Sequence, residues 1–318
     1  NGFFQASIAQ NNFRGLGQNL NLNVSWSEIQ QTYNLGFTEP YFMDTQWTAG
    51  ADVYRTQNGL ITSFSSERYG GDIRVGYPIF EYTRLFMTLR HEVTKISNVR
   101  NPSIDLDIEN GTAATIRTSL RYDKRNNVFE PTGGHFVNLS FEYAGFYGDQ
   151  EWAKASLDTR WYKPVYEDLI LRTRLKVDQL MRTTDRPLPR SEKFQMGGSR
   201  NMRGYNFEDI GPQQTFTDEE TGNPRQFNIG GQFSVLAQIE FEQPLVRDAG
   251  LKWVVFYDVG NVYLEELDTD NLVLRQDYGY GFRWFSPIGV LRFEFGYPID
   301  PPDGVSGQQF HFDIGQLF

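Results

Sequence analysis

The 318-residue chain carries a net charge of −10 and contains no cysteine, which argues against a nucleic-acid partner and excludes thiolate metal sites and thiol nucleophiles. Hydrophobic residues make up 39% of it and aromatics 15%, with a mean hydropathy of −0.52. The longest uninterrupted apolar run is Trp253–Tyr257, far short of the roughly 20 residues that a membrane-spanning helix needs.

Alternation with a period of two, the mark of a half-buried strand, recurs from one end to the other. In chain order it predicts strands at about 3–12, 18–27, 29–39, 46–57, 66–79, 82–96, 112–123, 135–145, 151–163, 168–182, 230–243, 252–264, 277–286, 289–298 and 308–318. Within 136–143, Val137, Leu139, Phe141 and Tyr143 oppose Asn138, Ser140 and Glu142; within 169–178, Leu169, Leu171, Leu175 and Val177 oppose Arg172, Arg174, Lys176 and Asp178. Val235, Ala237, Ile239 and Phe241 oppose Gln238, Glu240 and Glu242, and near the end Leu291, Phe293, Phe295 and Tyr297 oppose Arg292, Glu294 and Gly296. Two folds share such a pattern: an aromatic-rich soluble sandwich, and a membrane barrel with one apolar face and aromatic girdles. Many stretches reach the nine to eleven residues of a tilted bilayer-crossing strand. The expected fold is therefore an all-β, transmembrane antiparallel β-barrel, with the apolar face towards lipid and the charged face lining a watery lumen.

The connections alternate in character. Short turns are expected at Arg14–Gly17, Pro131–Gly134 and Ser286–Pro287, and longer polar ones at about 97–111, 183–229, 265–276 and 299–307, with acidic runs such as Asp105–Glu109 and Asp218–Glu220. Short periplasmic turns opposite long outer loops are the usual asymmetry of such barrels, which close with an even strand count. Fifteen strands read back from the C-terminus put Asn1 at the outer end of a descending strand, so a sixteenth, ascending strand is expected upstream of Asn1, unless one strand has been miscounted. No signal-peptide pattern opens the chain, so any such segment is expected to have been removed or left out.

The longest connection holds Gly197-Gly198-Ser199-Arg200-Asn201-Met202-Arg203-Gly204-Tyr205. Paired glycines permit unusual backbone angles and close approach, and loops of this length are commonly functional. The segment resembles the Arg-Gly-aromatic motif of the lumen-folding sixth outer loop in the BamA family of outer-membrane protein assembly factors, whose superfamily includes mitochondrial sorting-and-assembly proteins and two-partner secretion transporters. Thr38–Phe42, Tyr257–Val262, Trp284–Gly289 and the aromatic-terminated ending Phe310–Phe318 are similar to other stretches of that family, in the same order. The resemblance implies one barrel domain over 1–318, in which the segment around Phe4–Ile8 is a second strand and the periplasmic polypeptide-transport-associated domains are absent. It also implies assembly and insertion of β-barrel proteins into the outer membrane through a lateral seam between first and last strands. The implied partners are unfolded outer-membrane protein clients, periplasmic lipoprotein subunits and outer-membrane lipid.

Strand parity orients the residues that the loop would meet. Glu240 shares the polar face with Gln238 and Glu242, and Asp258 on the next strand shares a face with Phe256 and Gly260. A carboxylate towards lipid is costly, so both are expected in the lumen, paired with Arg203 as the resemblance implies, or with wall residues such as Arg172, Arg174 or Arg283. Gly197, Gly198, Arg203, Gly204, Tyr205, Glu240 and Asp258 form the expected loop motif and anchor. Phe310, Phe312, Ile314, Gly315 and Phe318 form the expected last-strand seam, with His311, Asp313 and Gly315 inward; Gly315 weakens packing and permits a kink there. Unpaired N–H and C=O groups at such an edge can template an incoming strand.

No catalytic role, cofactor or metal is expected. His91, His135 and His311 lie on separate strands without ligand spacing; His135, after a turn, and His311, on the lumen face, are assigned solvated polar roles, and Ser199 lacks the context of a nucleophile elbow. The alternatives to an assembly factor are a two-partner secretion transporter, favoured by an upstream plug helix, and a passive diffusion porin, favoured by an open lumen and steady conductance.

Overall fold

The computed structural model describes residues 3–15, 17–27, 30–58, 65–97, 109–217, 222–265, 273–286, 289–299, 301 and 307–314. Its strands are β1 (Phe3–Phe13), β2 (Gln18–Ser27), β3 (Gln30–Glu39), β4 (Thr48–Asn58), β5 (Ser65–Phe80), β6 (Thr83–Ser97), β7 (Gly111–Asp123), β8 (Gly134–Gly148), β9 (Trp152–Tyr166), β10 (Leu169–Met181), β11 (Gln213–Thr217), β12 (Pro224–Asn228), β13 (Phe233–Val246), β14 (Leu251–Tyr263), β15 (Arg275–Ser286), β16 (Gly289–Ile299) and β17 (Gln309–Ile314). Fifteen of them form one sheet in chain order, β1 to β10 followed by β13 to β17, and every neighbouring pair is antiparallel. The fifteen segments expected from alternation all correspond to strands of this sheet. The exception to the sequence reading is β11–β12, a small hairpin inside the longest connection. Gln213-Gln-Thr-Phe-Thr has almost no apolar alternation, and Gln213, Gln214, Thr215 and Thr217 are exposed.

The sheet is polar inside and apolar outside. Leu22, Leu35, Val53, Ile73, Leu89, Leu120 and Leu139 are exposed along its outer face, while Arg203, Glu240, Glu242, Asp258, Asp277, Arg283, Arg292 and Glu294 are each 2% exposed or less. Water rewards the opposite arrangement; hydrocarbon outside and an enclosed polar lumen reward this one. Aromatics border the apolar band at both ends, with Trp47, Tyr82, Trp161 and Trp284 towards the short turns and Trp26, Tyr33, Tyr147 and Tyr278 towards the long connections. His135 belongs to this outer face. Its ring lies 5.1 Å from that of Tyr122 and 5.9 Å from that of Trp161, so the solvated role assigned from its place after a turn is corrected to packing in the aromatic girdle, where an amphipathic ring is stable.

Irregularities fall where the ladder tolerates them. Pro78 and Pro244 stand at register shifts near the short-turn ends of β5 and β13, positions where a missing N–H donor costs least. Because the outer face meets lipid along its whole length, Leu139→Arg, midway along β8, should cost about 2–4 kcal/mol of folding stability. Chemical unfolding from lipid vesicles measures this, and an unchanged midpoint would show that this face does not meet hydrocarbon.

The connection between β10 and β13 does not project away from the sheet. At one end Arg68 on β5 donates to the Ser191 carbonyl (3.4 Å) and Lys154 on β9 pairs with Glu192 (2.7 Å); at the other, Ser199 donates to Asp313 on β17 (2.9 Å). A single connection reaching from β5 to β17 requires the sheet to curl around it, so the connection crosses the lumen.

Candidate functional site

Two anchorages hold this loop. The first is apolar: Leu188 packs with Ala113, Ala144, Trp152 and Leu180 of the wall, and Phe194 leans on this cluster. The Glu109 carboxylate accepts the backbone N–H groups of Arg190 and Ser191 beside it. The second anchorage is polar and holds the glycine-rich segment. Gly197 and Gly198 have φ of +116° and +103°, values open to glycine at little cost. They let the chain knot on itself, with Gly198 N–H directed at the carbonyls of Met202 and Tyr205 (3.1 and 3.0 Å) and the Asn201 side chain accepting from Gly197 and Met202 N–H (2.8 and 2.6 Å). Met202 and Tyr205 are fully buried, and Met202 packs with Met196, Ile210, Leu236 and Val262.

This knot delivers Arg203 to the wall. Its guanidinium donates from Nε and Nη2 to the two oxygens of Asp258 (2.7 Å each) and from Nη1 to Glu240 (2.5 Å), with Glu294 3.6 Å away. Its face lies over the Phe256 ring, 3.5 Å from the centroid. Burial opposes the Arg203 charge, but the Asp258 and Glu240 carboxylates more than offset it and raise its pKa above the ordinary value. Bidentate, charge-assisted bonds of this kind are the strong class, and they satisfy a cation that is expensive to bury unpaired.

Register explains why the guanidinium fits here. Glu240, Phe256, Gly279 and Gly296 lie in one row across β13 to β16. Gly279 leaves room for the Phe256 ring, and at Gly296 a β-carbon would overlap the Arg203 carbonyl. Two lumen-facing rows further on, the row is charged and alike: Lys252, Arg283 and Arg292 face one another on β14 to β16. Adjacent like charges destabilise a sheet, and the flanking carboxylates compensate them. Arg283 donates to Glu240 (2.6 Å), Glu242 (2.9 Å) and Glu294 (2.9 Å), Arg172 to Glu242 (2.8 Å), and Arg174 to Asp158 (3.0 Å). Glu240 therefore serves the loop and the wall together, while Asp258 serves the loop, with Gln238 donating to it at 3.1 Å.

The Omp85 superfamily domain matches residues 12–318. The chain belongs to the Omp85 superfamily. It is 27% identical to the outer membrane protein assembly factor BamA of Nitratidesulfovibrio vulgaris over 98% of its own length and 39% of that protein. It is similar in structure to BamA from Haemophilus ducreyi lacking POTRA domains 1–3, with a TM-score of 0.81, 23% identity, and coverage of 98% of this chain and 66% of that one. It is also similar to CdiB from Escherichia coli, with a TM-score of 0.69, 15% identity and coverage of 98% and 58%. The chain spans 39% to 45% of the length of the BamA relatives it matches.

In this Omp85 barrel the structure brings Gly197, Gly198, Arg203, Gly204, Tyr205, Glu240 and Asp258 into one site. Gly204 lies against Asp277, which sequence reasoning did not single out, and the Tyr205 hydroxyl donates to the Gln276 carbonyl (3.3 Å). Phe310, Phe312 and Ile314 lie on the outer face of β17, exposed to between 47% and 55%, so they reach lipid and not the loop. Gly315 and Phe318 lie outside the described residues. Arg283, expected as an alternative partner of the lumen carboxylates, pairs with Glu240 alongside Arg203. Sequence reasoning missed Phe256 as a stacking surface, Glu294 as a shared partner, and Gly296; parity puts all three on the lumen face, yet parity does not say which rows align. His311, assigned a solvated role, instead sits 2.8 Å from the Arg203 carbonyl: the loop fills the space that an open lumen would give to water.

Proposed function

We propose that this barrel assembles and inserts β-barrel proteins into an outer membrane, opening sideways between its first and last strands, and that it performs no enzymatic chemistry. The observation that carries the reading is the Arg203 loop locked against β13–β17 in a chain of this superfamily. An anchored loop leaves the end of the sheet near β17 as the place where the barrel wall is least supported by neighbours. Among the described residues β17 has one strand neighbour, β16, where the strands inside the sheet have two. An edge in hydrocarbon is too costly to stay unpaired, so a strand offered by an unfolded client is a favoured partner. Unfolded outer-membrane proteins are the proposed substrates, and periplasm-facing lipoproteins and outer-membrane lipid the proposed associates. Export of a polypeptide through the lumen is the weaker reading, because the loop occupies the lumen.

Reconstitution tests this. The protein is placed in lipid vesicles, a urea-unfolded small outer-membrane barrel is diluted in, and the folded band that resists unheated detergent is followed over time. Folding should be accelerated by about tenfold or more, equivalent to about 1.4 kcal/mol of barrier. Equal rates with and without the protein would overturn the reading. Client found inside the vesicle lumen, and not in the bilayer, would replace it with export.

A further inference from the structure

The lumen side of β17 is bonded to the loop motif itself. Three side chains meet the Asp313 carboxylate: the Ser199 hydroxyl (2.9 Å), the Arg292 guanidinium (2.8 Å) and the Arg200 Nε (3.5 Å). Two residues earlier on the same face, His311 Nε2 lies 2.8 Å from the carbonyl of Arg203. Ser199, Arg200 and Arg203 all belong to the glycine-rich segment, so residues before the Arg203 pin and the pin's own carbonyl touch the last strand. Arg292 also contacts the Ser199 carbonyl (3.5 Å) and lies 3.6 Å from Glu294, itself 3.6 Å from Arg203. Asp313 thus belongs to the same charge network as the pin.

Among the described residues β17 is held on its outer face by apolar contacts, Phe310 on Phe295 (5.0 Å) and Phe312 on Phe293 (5.1 Å), with Ile314 opposite Leu291. Such ring pairs are worth about 0.5–1.5 kcal/mol each beyond burial, and lipid tails replace much of the apolar contact if the strand leaves. Hydrogen bonds to ionised groups are the stronger class, and hydrocarbon offers them no substitute. The lumen-side clasp is therefore, beside the β16–β17 backbone ladder, a part of the attachment that release into the membrane plane has to break.

We propose that Asp313 and His311 are positioning residues that clasp the last strand to the docked loop, so that loop and strand loosen together. The proposal rests on the assembly reading for what that loosening is used for, but the coupling is a property of the barrel alone and needs no client. Coupling between two sites is reciprocal: loosening the strand loosens the loop, and loosening the loop loosens the strand.

Amide hydrogen exchange of the detergent-solubilised or vesicle-bound protein, resolved by peptide, reads both directions. Asp313→Asn should raise exchange about tenfold in residues 309–314 and also in residues 197–205, as expected for loss of a charge-assisted bond. Ser199→Ala, which deletes one hydroxyl and leaves the Arg203 pin untouched, should raise exchange in 309–314. Asp313→Glu, which keeps the charge, should restore part of the protection in both segments. The proposal is overturned if Asp313→Asn loosens 309–314 while 197–205 stays protected, or if Ser199→Ala leaves 309–314 unchanged. Because no client is present, failure here leaves the assembly reading standing, and failure of the assembly assay leaves this coupling standing.

Discussion

Arg203→Ala is expected to destabilise the barrel by about 3–5 kcal/mol, the range for removing one partner from a buried ion pair. The two carboxylates it leaves are not equivalent. Glu240 keeps Arg283 at 2.6 Å, but Asp258 keeps no cation: it retains the Gln238 amide (3.1 Å) and the long backbone N–H bond of residue 203 (3.4 Å), with Asp277 directly across the strand pair. Most of the cost should therefore fall on Asp258. The check is the temperature at which the folded, fast-migrating band converts to the unfolded one in detergent. That temperature should fall in Arg203→Ala and recover in part in the double variant Arg203→Ala/Asp258→Asn, because removing both charges costs less than stranding one. Wild-type behaviour in the single variant would mean that the loop is not held by its guanidinium.

Gly296→Val is the second large effect, and its sign separates the loop from the sheet. Valine suits a strand better than glycine, so an isolated β16 would gain from the change. Here a β-carbon would run into the Arg203 carbonyl oxygen, the carbonyl carbon and the Gly204 nitrogen, which are backbone atoms that no rotamer can move aside. The loop has to lift, and the Asp258 and Glu240 bonds are lost although every charged residue is still present. A loss of several kcal/mol is expected, of the size found for overpacking together with a broken buried pair. The same melting measurement decides it. Gly296→Val should add little in an Arg203→Ala background, where the loop has already left. Additive losses would place the clash somewhere other than the docked loop.

The sheet was legible because lipid and lumen impose opposite chemistry on successive residues, and segments such as Val137–Tyr143 and Leu291–Tyr297 carry that opposition without interruption. Parity was also enough to orient Glu240 and Asp258, since a carboxylate has one tolerable direction in such a wall. Three kinds of information were not legible. The alignment of Glu240 with Phe256, Gly279 and Gly296 depends on strand stagger, which is set by hairpin geometry and closure more than by local pattern. The β11–β12 hairpin has almost no apolar alternation and so lacks the signal. The contacts of His311 and Asp313 depend on how deeply the loop descends, and that depth follows from the glycines of two facing strands, Gly279 and Gly296, which leave room for Phe256 and the Arg203 backbone.

The path of the loop also dictates the order in which this molecule is completed. Ser199 and Asp313 are 114 residues apart, and Arg68 and Ser191 are 123 apart, so both fastenings close very long chain segments, the slow class of event in folding. Neither can form until strands before and after the loop have been laid down and brought round it. A barrel that stalls with its sheet half curled holds Asp258, Glu240 and Arg283 without their full complement of partners, and the unpaired charges bias it towards coming apart. The loop thus works as a completion test on its own scaffold: only a wall with every strand in register earns the last lock.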